Sequence, residues 1–578
     1  MTPAPTLCPM SPAPPTNRPT PTLAERWLSF VLFAAALVLR ILYAWHFRVD
    51  SDEPQHLHVV WAWTQGLLPY RDIFDNHTPV FQALAAPLFH ALGVRADILA
   101  PMRLAMIPIF ALTIWCVWKC ARTFCAPRPA LWTAVLAAFL PPFFFTSIEF
   151  RPDELWTLAW LLTLTVLVTG RITTARLFAA GAVLGFSFCV SMKTSLLLAA
   201  LAFALAGTLI LRRRCEGLGV EWARMATGGT AALLGLLVVP ALVVLFFVTH
   251  GAGPQMYYCV IQHNVLPDAS GAGRIFRCTW HWLLWLLPII AAGAGISRVR
   301  VPGEARMRIA FLFFAAAFYC ITLISFWPIL TAEDYLPFYP ALMITAAPAV
   351  MWLAGLAGGG LRLPVWVLPL LAAAAEIACI VSTTSPFTDM TRDKTGIVAD
   401  VLKLTDADDF VMDSKGETIY RNRPTPHVIL EGLTLRRLRR GLLQDDIAER
   451  LIETRTPLAT LRRMPVHAKA FIKANYVPIA YRLRALGQVL REDFADAATL
   501  RAFSIAVPGR YTLVCQSGIP AGIMDGKPFD GPRELAAGPH EFQPTGGGGR
   551  LVLIWAQAVE RGYSPFTPIK EDVTTEQD

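Results

Sequence analysis

The sequence predicts a polytopic α-helical membrane protein that ends in a soluble region. Its 578 residues are 55% hydrophobic and only 16% charged, whereas a soluble globular chain carries about a quarter charged residues. The apolar residues concentrate before residue 386, in runs long enough to cross a bilayer core of roughly 30 Å. Residues 386–578 have an ordinary soluble composition instead. These three observations exclude a soluble enzyme, a disordered chain and a fibrous protein.

The formal net charge of +9 does not indicate a nucleic-acid partner. Residues before 386 contain 25 Lys and Arg against 17 Asp and Glu, and the later residues contain 26 against 25. The excess therefore lies in the membrane part, where positive residues set topology. Because no basic run alternates with aromatic residues, we expect no nucleic acid to bind.

The first 22 residues predict a disordered cytoplasmic tail. They contain eight prolines and almost no large apolar residues, a composition that cannot form a packed core. The first apolar run, at 27–47, is long enough to span the membrane and lacks the small-residue cleavage site of a signal peptide. We therefore expect this run to be the first membrane span.

Residues 23–385 predict about eleven membrane spans. They fall at roughly 27–47, 104–120, 130–148, 154–170, 176–192, 194–211, 225–249, 279–296, 307–330, 335–357 and 363–384. If the N-terminus is cytoplasmic, the inside loops hold 16 Lys and Arg and the outside loops hold 8, in agreement with the positive-inside rule. An odd number of spans then places the residues after 385 outside. We expect a multi-pass protein of the inner (plasma) membrane with a periplasmic or extracellular C-terminal domain.

The first outer loop contains two short apolar runs that follow Pro54 and Pro79. Proline is favoured at the first position of a helix because its missing N–H would be unpaired there anyway. Residues 54–92 are therefore predicted to form two helices that lie along the membrane interface rather than cross it.

The soluble part shows two patterns. Residues 386–500 alternate strand-like segments such as FVMDS with helix-like segments such as DDIAERLIET, which predicts a small α/β unit. Residues 501–578 contain FSIAV, RYTLVCQ and RLVLIWAQA, separated by Gly and Pro turns. This second pattern predicts a β-rich region.

A cluster of acids follows the first span directly. Asp50, Asp52 and Glu53 stand within four residues of each other at a membrane boundary. Asp52 or Glu53 could simply cap a helix that Pro54 opens. Clustered carboxylates also repel each other, which raises at least one pKa and makes a candidate general base. Both interpretations remain open from the residues alone.

A second polar stretch lies just before the second short helix. Asn76 or Thr78 could cap the helix that begins at Pro79. Alternatively, Asp75 and His77 could belong to a polar rim that faces the same cavity as Asp52.

Charged residues also flank later spans on the same predicted face. Arg151 and Asp153 lie between the third and fourth spans, where they could serve only as flanking charges. Lys193 lies at the outer boundary between the fifth and sixth spans, where the positive-inside rule disfavours a cation. It therefore calls for a partner, and both Asp153 and a phosphate group are candidates.

These motifs together resemble those of the protein O-mannosyltransferases and their bacterial relatives in the GT-C superfamily, which include the lipid A aminoarabinose transferases. Asp52 and Glu53 resemble the family's Asp-Glu motif, with His56 a little beyond it. Residues 75–79 resemble its Asp-x-His-Pro-Pro segment, with a threonine in place of the first proline.

The resemblance extends over the membrane half of the chain, about 360 residues. Asp153 resembles a second outer-loop aspartate of the family, and Lys193 resembles a lysine that opens a later span. Tyr335 begins a segment that resembles the family's tyrosine- and proline-containing motif, although Asp334 stands where many members carry an arginine.

The resemblance implies a GT-C-like catalytic domain at 23–385 and an inverting glycosyltransferase. Such an enzyme moves a hexose or pentose from a polyprenyl-phosphate donor to a hydroxyl of a lipid, glycan or protein acceptor at the outer face. The implied catalytic residues are Asp52 as general base, Glu53 beside it and Asp153. The implied substrate-binding residues are His56, Arg71, Asp75, His77, Arg151, Lys193 and Tyr335.

Two other classes of function remain as alternatives. A multi-span transporter or flippase of a polar or lipid-linked solute would also need many spans, although we find no internal repeat of the kind common in transporters. A non-catalytic assembly subunit would explain the soluble region but not the acidic face. Carboxylates suit hard divalent cations, yet no ligand spacing requires one, so metal dependence stays open and no cofactor is certain.

Overall fold

The computed structural model describes residues 20–216, 221–265, 303–327, 330–346, 355, 359, 363–426, 428–492 and 499–569. Helices dominate the part before residue 386. They are α1 (Leu23–His46), α2 (Glu53–Thr64), α3 (Val80–Leu92), α4 (Leu99–Leu104), α5 (Met106–Ala121), α6 (Pro127–Phe139), α7 (Pro141–Thr146), α8 (Pro152–Val168), α9 (Thr174–Val190), α10 (Thr194–Glu216), α11 (Trp222–Thr249), α12 (Gly253–Tyr257), α13 (Gly303–Phe326) and α14 (Val367–Thr383).

Five stretches are long and apolar enough to cross a membrane by length and composition, among the residues described. They are Leu23–His46, Leu99–Ala121, Thr194–Arg214, Trp222–Thr249 and Gly303–Phe326. Together with the β-rich C-terminal region, they confirm the predicted class of polytopic helical membrane protein with a soluble end. The predicted span at 279–296 lies outside the described residues, as does part of the span at 335–357.

Local sequence explains where several helices begin and break. Thr22 and Glu25 form a capping box at the start of α1, in which each side chain accepts a hydrogen bond from the other residue's backbone N–H. The predicted span at 130–148 is divided into α6 and α7 at Leu140, because Pro141 and Pro142 cannot continue the hydrogen-bond ladder of α6.

Glycines bring α9 and α11 into close contact. A Cβ atom added at Gly181 would lie 2.0 Å from the Ala232 carbonyl oxygen, and one added at Gly235 would lie 2.1 Å from that of Phe178. No side chain fits at such distances, so the small residues let the two backbones approach.

The C-terminal region is built on one nine-stranded sheet. Its order is β1-β2-β4-β9-β6-β7, with β3 beside β4, β5 beside β9 and β8 beside β6. Its elements are α15 (Arg392–Leu404), β1 (Val411–Met412), α16 (Gly432–Arg439), α17 (Ile447–Glu453), β2 (Leu458–Ala459), α18 (Val466–Asn475), β3 (Tyr476–Ala480), β4 (Leu483–Arg491), β5 (Arg501–Ile505), β6 (Gly509–Met524), β7 (Lys527–Pro528), β8 (Arg533–Leu535), β9 (Gly538–Trp555) and α19 (Ala556–Glu560). The boundary expected near residue 500 falls between β4 and β5, both of which pair with β9.

The C-terminal region packs on α2 and on the loops around it. Residues 53–62 of α2 are all buried, and Val398, Ile419 and Tyr420 join the hydrophobic core of the helix bundle. The Tyr420 hydroxyl donates to the Arg95 carbonyl at 2.9 Å. Helix α2 therefore lies between the membrane helices and the C-terminal region, at what we call the domain end of the bundle.

Candidate functional site

Asp52 and Glu53, the adjacent acids at the start of α2, have different surroundings. Asp52 occupies the N-cap position but makes no capping hydrogen bond with its side chain. Pro54 in the first turn has no N–H to satisfy, which lowers the need for a cap. The Asp52 carboxylate is instead turned toward ion pairs, and about a quarter of its side chain (26%) is exposed.

Glu53, in contrast, is completely enclosed. Its carboxylate accepts from Arg103 at 2.7 and 2.5 Å, in a bidentate pair whose two side chains are both 0% exposed. It also accepts from the backbone N–H of Phe150 at 2.7 Å and of Asp50 at 2.9 Å. The oxygens of Glu53 are thus occupied by donors that tie the start of α2 to α4 and to the segment before α8.

Arg151 is the centre of the charged cluster. Its guanidinium lies 2.8 Å from Asp50, 3.2 Å from Asp52 and 2.6 Å from Glu333. Two further carboxylates, Asp153 at 3.3 Å and Glu149 at 3.9 Å, complete the shell. Five carboxylates from three separate segments therefore share one buried cation.

A second cation continues the cluster toward the start of α10. Lys193 Nζ lies 2.9 Å from Asp153 and 2.5 Å from Asp334. Asp334 also accepts from the Thr331 N–H at 2.9 Å, which fixes the short 3₁₀ turn Ala332–Tyr335. The residue that stands in place of the family's arginine is thus a partner of Lys193 with the opposite charge.

The third cation comes from the C-terminal region. Lys415 Nζ contacts Asp52 Oδ1, and the Lys415 side chain is only 4% exposed. Asp52 therefore has one oxygen on Lys415 and the other on Arg151. More than 360 residues of sequence separate this pair, so no local pattern pointed to Lys415.

The two predicted histidines belong to a network beside this cluster. His77 Nδ1 lies 2.9 Å from Asp75, and the His56 and His77 rings are 4.6 Å apart. The Gln82 amide nitrogen bridges His56 and Asp75, at 3.2 Å from His56 Nδ1 and 3.4 Å from the Asp75 carboxylate. His56 Nε2 is buried and has no hydrogen-bond partner among the described residues.

Arg71 lies away from the cluster. It forms a bidentate pair with Asp72 and donates to the His250 carbonyl at 3.2 Å. Within the described part of the chain, it makes no hydrogen bond or ion pair to another predicted site residue. The structure thus brings eight of the ten predicted site residues together around Arg151, Lys193 and the histidines. Tyr335 follows Asp334 in the 3₁₀ turn, and Arg71 lies apart.

Burial and charge act in opposite directions on these groups. Burial disfavours the ionised form of Asp52, but the charges of Arg151 and Lys415 outweigh it and hold the pKa of Asp52 well below its ordinary value. Burial also opposes the charge on Lys193, while Asp153 and Asp334 raise its pKa above the usual range. Burial and the neighbouring His77 lower the pKa of His56. At neutral pH the site therefore contains ionised Asp52 and Lys193 beside a neutral His56.

The carboxylates are arranged around a guanidinium rather than around a metal position. In the described ranges, no group of three or more His, Cys, Asp or Glu side chains is placed to hold a metal ion. The oxygens of Asp50, Asp52 and Glu333 lie within 3.2 Å of the Arg151 guanidinium, so these carboxylates have an organic cation as their partner.

Sequence reasoning missed residues that act at a distance. Asp50 belongs to the acidic cluster after the first span, and Glu149 and Glu333 lie beside Arg151 and Asp334 in the sequence. Their position at one predicted membrane face is the signal that could have identified them. Lys415 and Arg103 had no such signal, because their partners become neighbours only when the chain folds.

Comparison with known proteins places this site in context. Residues 76–243 match the family model described as dolichyl-phosphate-mannose-protein mannosyltransferase. The fold is similar to that of ArnT from Cupriavidus metallidurans bound to undecaprenyl phosphate, at 16% identity and a TM-score of 0.55, over 80% of this chain and 98% of that chain. ArnT in the apo state gives 15% identity and a TM-score of 0.56 over the same shares.

A lower similarity extends to the apo oligosaccharyltransferase of Archaeoglobus fulgidus, at 11% identity and a TM-score of 0.46 over 79% of this chain and 73% of that chain. Among curated proteins no match is found. The family model nevertheless agrees with the motifs, and the predicted resemblance to the O-mannosyltransferases is confirmed. The fold agrees with that of ArnT.

Proposed function

We propose that the protein is an inverting glycosyltransferase that moves a sugar from a polyprenyl-phosphate donor to an acceptor hydroxyl at the outer face of the membrane. The observation that carries the proposal is the placement of Asp52. It is an ionised, partly exposed carboxylate held between two cations at the domain end of a membrane helix bundle. Carboxylates whose pKa is shifted by burial and by specific charge partners cluster at functional sites.

An apolar groove beside the cluster supports a lipid-linked donor. It has a volume of about 270 Å³ and lies between α8 and α9. Its lining residues are Leu155, Leu158, Ala159, Leu162, Ala182, Val183 and Phe186. The groove begins two residues after Asp153 and follows α8 for two turns, about 10 Å. An isoprenoid chain in this groove would place its phosphate near the charged end.

The proposed transfer needs one base and a stabilised leaving group. Asp52 accepts the proton of the acceptor hydroxyl while that oxygen attacks the anomeric carbon from the face opposite the phosphate. The new bond joins the acceptor oxygen to the anomeric carbon, and the bond from that carbon to the phosphate oxygen breaks. The electron pair stays on the polyprenyl phosphate, which leaves without needing a strong acid.

The remaining residues have supporting roles in this proposal. Lys193 and Arg151 stabilise the charge that develops on the leaving phosphate. Asp153 positions both cations, since it contacts Lys193 at 2.9 Å and Arg151 at 3.3 Å. Glu53 acts as a positioning residue, because its own oxygens are closed by Arg103 and two backbone donors.

Mass spectrometry of copurifying lipids tests the proposal directly. The Asp52→Asn variant, made in the native host, should retain a polyprenyl phosphate that still carries its sugar, because a disabled base leaves the donor unreacted. The mass would also identify the sugar and the chain length. Asp530→Asn is the matched control, because Asp530 is 90% exposed, and it should copurify with no more donor than the wild type.

The opposite result would favour the alternative function. If Asp52→Asn contained only bulk phospholipid while the wild type retained another specific solute, the protein would be a transporter or flippase and not a transferase.

A further inference from the structure

We infer that the donor phosphate replaces Asp52 as the ion-pair partner of Lys415, a residue of the C-terminal region. Asp52 then becomes able to act as a base only when the donor is bound. This inference rests on the proposed function and deepens it. It assigns to the C-terminal region a direct part in the site rather than a peripheral one.

The starting point is that Asp52 is a poor base as it stands. One oxygen contacts Lys415 and the other lies 3.2 Å from Arg151. Opposite charges at such distances stabilise the ionised carboxylate and weaken its affinity for a proton. An effective general base has a pKa near the working pH. One of the two cations must therefore find another partner before Asp52 can accept a proton.

Arg151 is not free to do so. Its guanidinium is shared with Asp50, Asp153 and Glu333 at 2.6–3.3 Å, in addition to Asp52. The planar fork of arginine makes these contacts in fixed directions. Moving Arg151 would break several buried ion pairs at once, so this cation stays where it is.

Lys415 is held much less tightly. Among the described residues, Asp52 is the one carboxylate within ion-pair distance of its ammonium. A lysine carries a point charge on a flexible four-carbon stem and can redirect it by simple rotation. Of the two cations on Asp52, Lys415 is the one that can change partner.

The backbone beneath Lys415 is rigid, which confines the movement to the side chain. Asp413 accepts from the N–H groups of Gly416 at 2.6 Å and Thr418 at 2.8 Å. Gly416 has a φ of +87° and lies so close to His58 that an added Cβ would be 2.6 Å from the His58 Cβ. The backbone of this turn is thus held against α2, and only the side chain of Lys415 changes position.

The charge balance of the site explains why the new partner must be an anion such as a phosphate ester. Asp52 is faced by Lys415, Arg151, His56 and Asp50, and Arg151 already serves further acids. An incoming phosphate finds every cation occupied, so it binds by replacing a carboxylate as a partner. The exchange at Lys415 gives the phosphate a counter-charge and leaves Asp52 more able to accept a proton.

A binding cycle on the full-length protein in nanodiscs tests this exchange. The probe is undecaprenyl phosphate, and the proteins are the wild type, Lys415→Ala, Asp52→Asn and the double variant. We expect Lys415→Ala to weaken binding about tenfold and Asp52→Asn to tighten it about threefold or more, because the competing carboxylate is gone. The double variant should lose that gain, since no ammonium remains to be released.

Lys527→Ala is the matched control, because Lys527 is an exposed lysine of the same region on β7. It should bind the probe as the wild type does. If Lys415→Ala bound like this control and Asp52→Asn bound no more tightly than wild type, the inference would be wrong. Asp52→Asn keeps the test decisive even if Lys415→Ala folds poorly.

Two further outcomes separate the causes of failure. Normal binding by the wild type without coupling between Asp52 and Lys415 would overturn this inference alone. Absence of binding by the wild type would overturn the proposed donor as well. Inorganic phosphate should bind at least tenfold more weakly than the lipid, and equal occupancy would reassign the site to a soluble phosphate.

Discussion

Two adjacent acids, Asp52 and Glu53, show how differently one motif can be used. Glu53 and its partner Arg103 are both 0% exposed and bonded to each other twice. Asp52 is 26% exposed and divides its two oxygens between cations from distant segments. Glu53 holds neighbouring segments together, whereas the Asp52 side chain remains partly exposed.

The difference follows from what each partner can do. Arg103 presents a fixed fork to Glu53 and also donates to the backbone carbonyls of Phe47 and Arg48, so the pair joins α4 to the end of α1. A buried pair of this kind is costly to break because one charge is left without a partner. Asp52, in contrast, keeps about a quarter of its side chain exposed and is shared between Arg151 and Lys415.

The largest expected effect is a loss of sugar transfer when Asp52, the accessible acid, is neutralised. Asp52→Asn should lower sugar transfer by about 10²–10⁴-fold, the usual contribution of a general base. Its free energy of unfolding should fall by only about 1 kcal/mol, because asparagine keeps an oxygen that accepts from Lys415. The measurement is transfer to acceptor with a synthetic donor, in parallel with thermal unfolding.

A variant that kept most of the wild-type rate would exclude Asp52 as the base. Asp530→Asn provides the control for a neutralised exposed acid and should transfer at the wild-type rate, since Asp530 is 90% exposed and its ion-pair partner is Arg533.

The second prediction concerns Glu53, the fully buried acid, and is tested by the free energy of unfolding. Glu53→Gln should lower the free energy of unfolding by about 3–5 kcal/mol, because Arg103 then remains buried without a counter-charge. Activity per folded molecule should fall less than in Asp52→Asn. A double change of Glu53→Gln with Arg103→Gln should recover part of the loss, and failure of the double variant to recover any would contradict the pairwise explanation.

The contrast also shows how much the sequence could predict. The apolar runs and the position of prolines predicted the membrane helices and the start of α2, because these are local properties. The Asp-Glu motif and the later charges at one face predicted which residues would gather, and the structure places Asp52, Asp153, Arg151 and Lys193 together.

The sequence could not divide the roles within the motif. That Glu53 is closed depends on Arg103, fifty residues away, and that Asp52 is doubly paired depends on Lys415, which lies in the other half of the molecule. Such pairs form because of how the helices pack and how the C-terminal region docks on α2. Neither kind of contact produces a periodic pattern in the sequence.

The third prediction tests whether Lys193 has a structural role, like the buried Glu53–Arg103 pair, or a role in transfer, like the one proposed for Asp52. It is 16% exposed and contacts Asp153 and Asp334. If it serves the leaving phosphate, Lys193→Met should reduce transfer about 10–100-fold, or about 1.4–2.7 kcal/mol in transition-state stabilisation. Lys193→Arg should retain more activity, because it keeps the charge.

A double variant separates the two roles of Lys193. Lys193→Met with Asp334→Asn removes the unpaired acid and should restore thermal stability but not transfer. Recovery of transfer in the double variant would show that Lys193 serves only to neutralise Asp334.

The smallest expected effect concerns Glu149, an acid that lies between the two kinds of site. Its side chain is 3% exposed and lies 3.1 Å from Arg48 and 3.9 Å from Arg151. Burial, followed by the charge of Glu53 and with a further contribution from Asp50, raises the pKa of Glu149 well above its ordinary value despite these arginines. The folded protein therefore holds this proton more tightly than the unfolded chain does.

The sign of the pH dependence follows from that difference. The stabilisation is complete below the unfolded pKa of about 4.3 and is lost as the pH rises toward the raised pKa of the folded state. Glu149→Gln cannot lose a proton, so it should become more stable relative to wild type between pH 5 and pH 8, by about 1 kcal/mol. The thermal midpoint measured across this range tests it, with Glu304→Gln, which is 75% exposed on α13, as the control that should follow wild type. A constant difference between Glu149→Gln and wild type across these pH values would mean that Glu149 is ionised throughout this range, and would contradict the prediction.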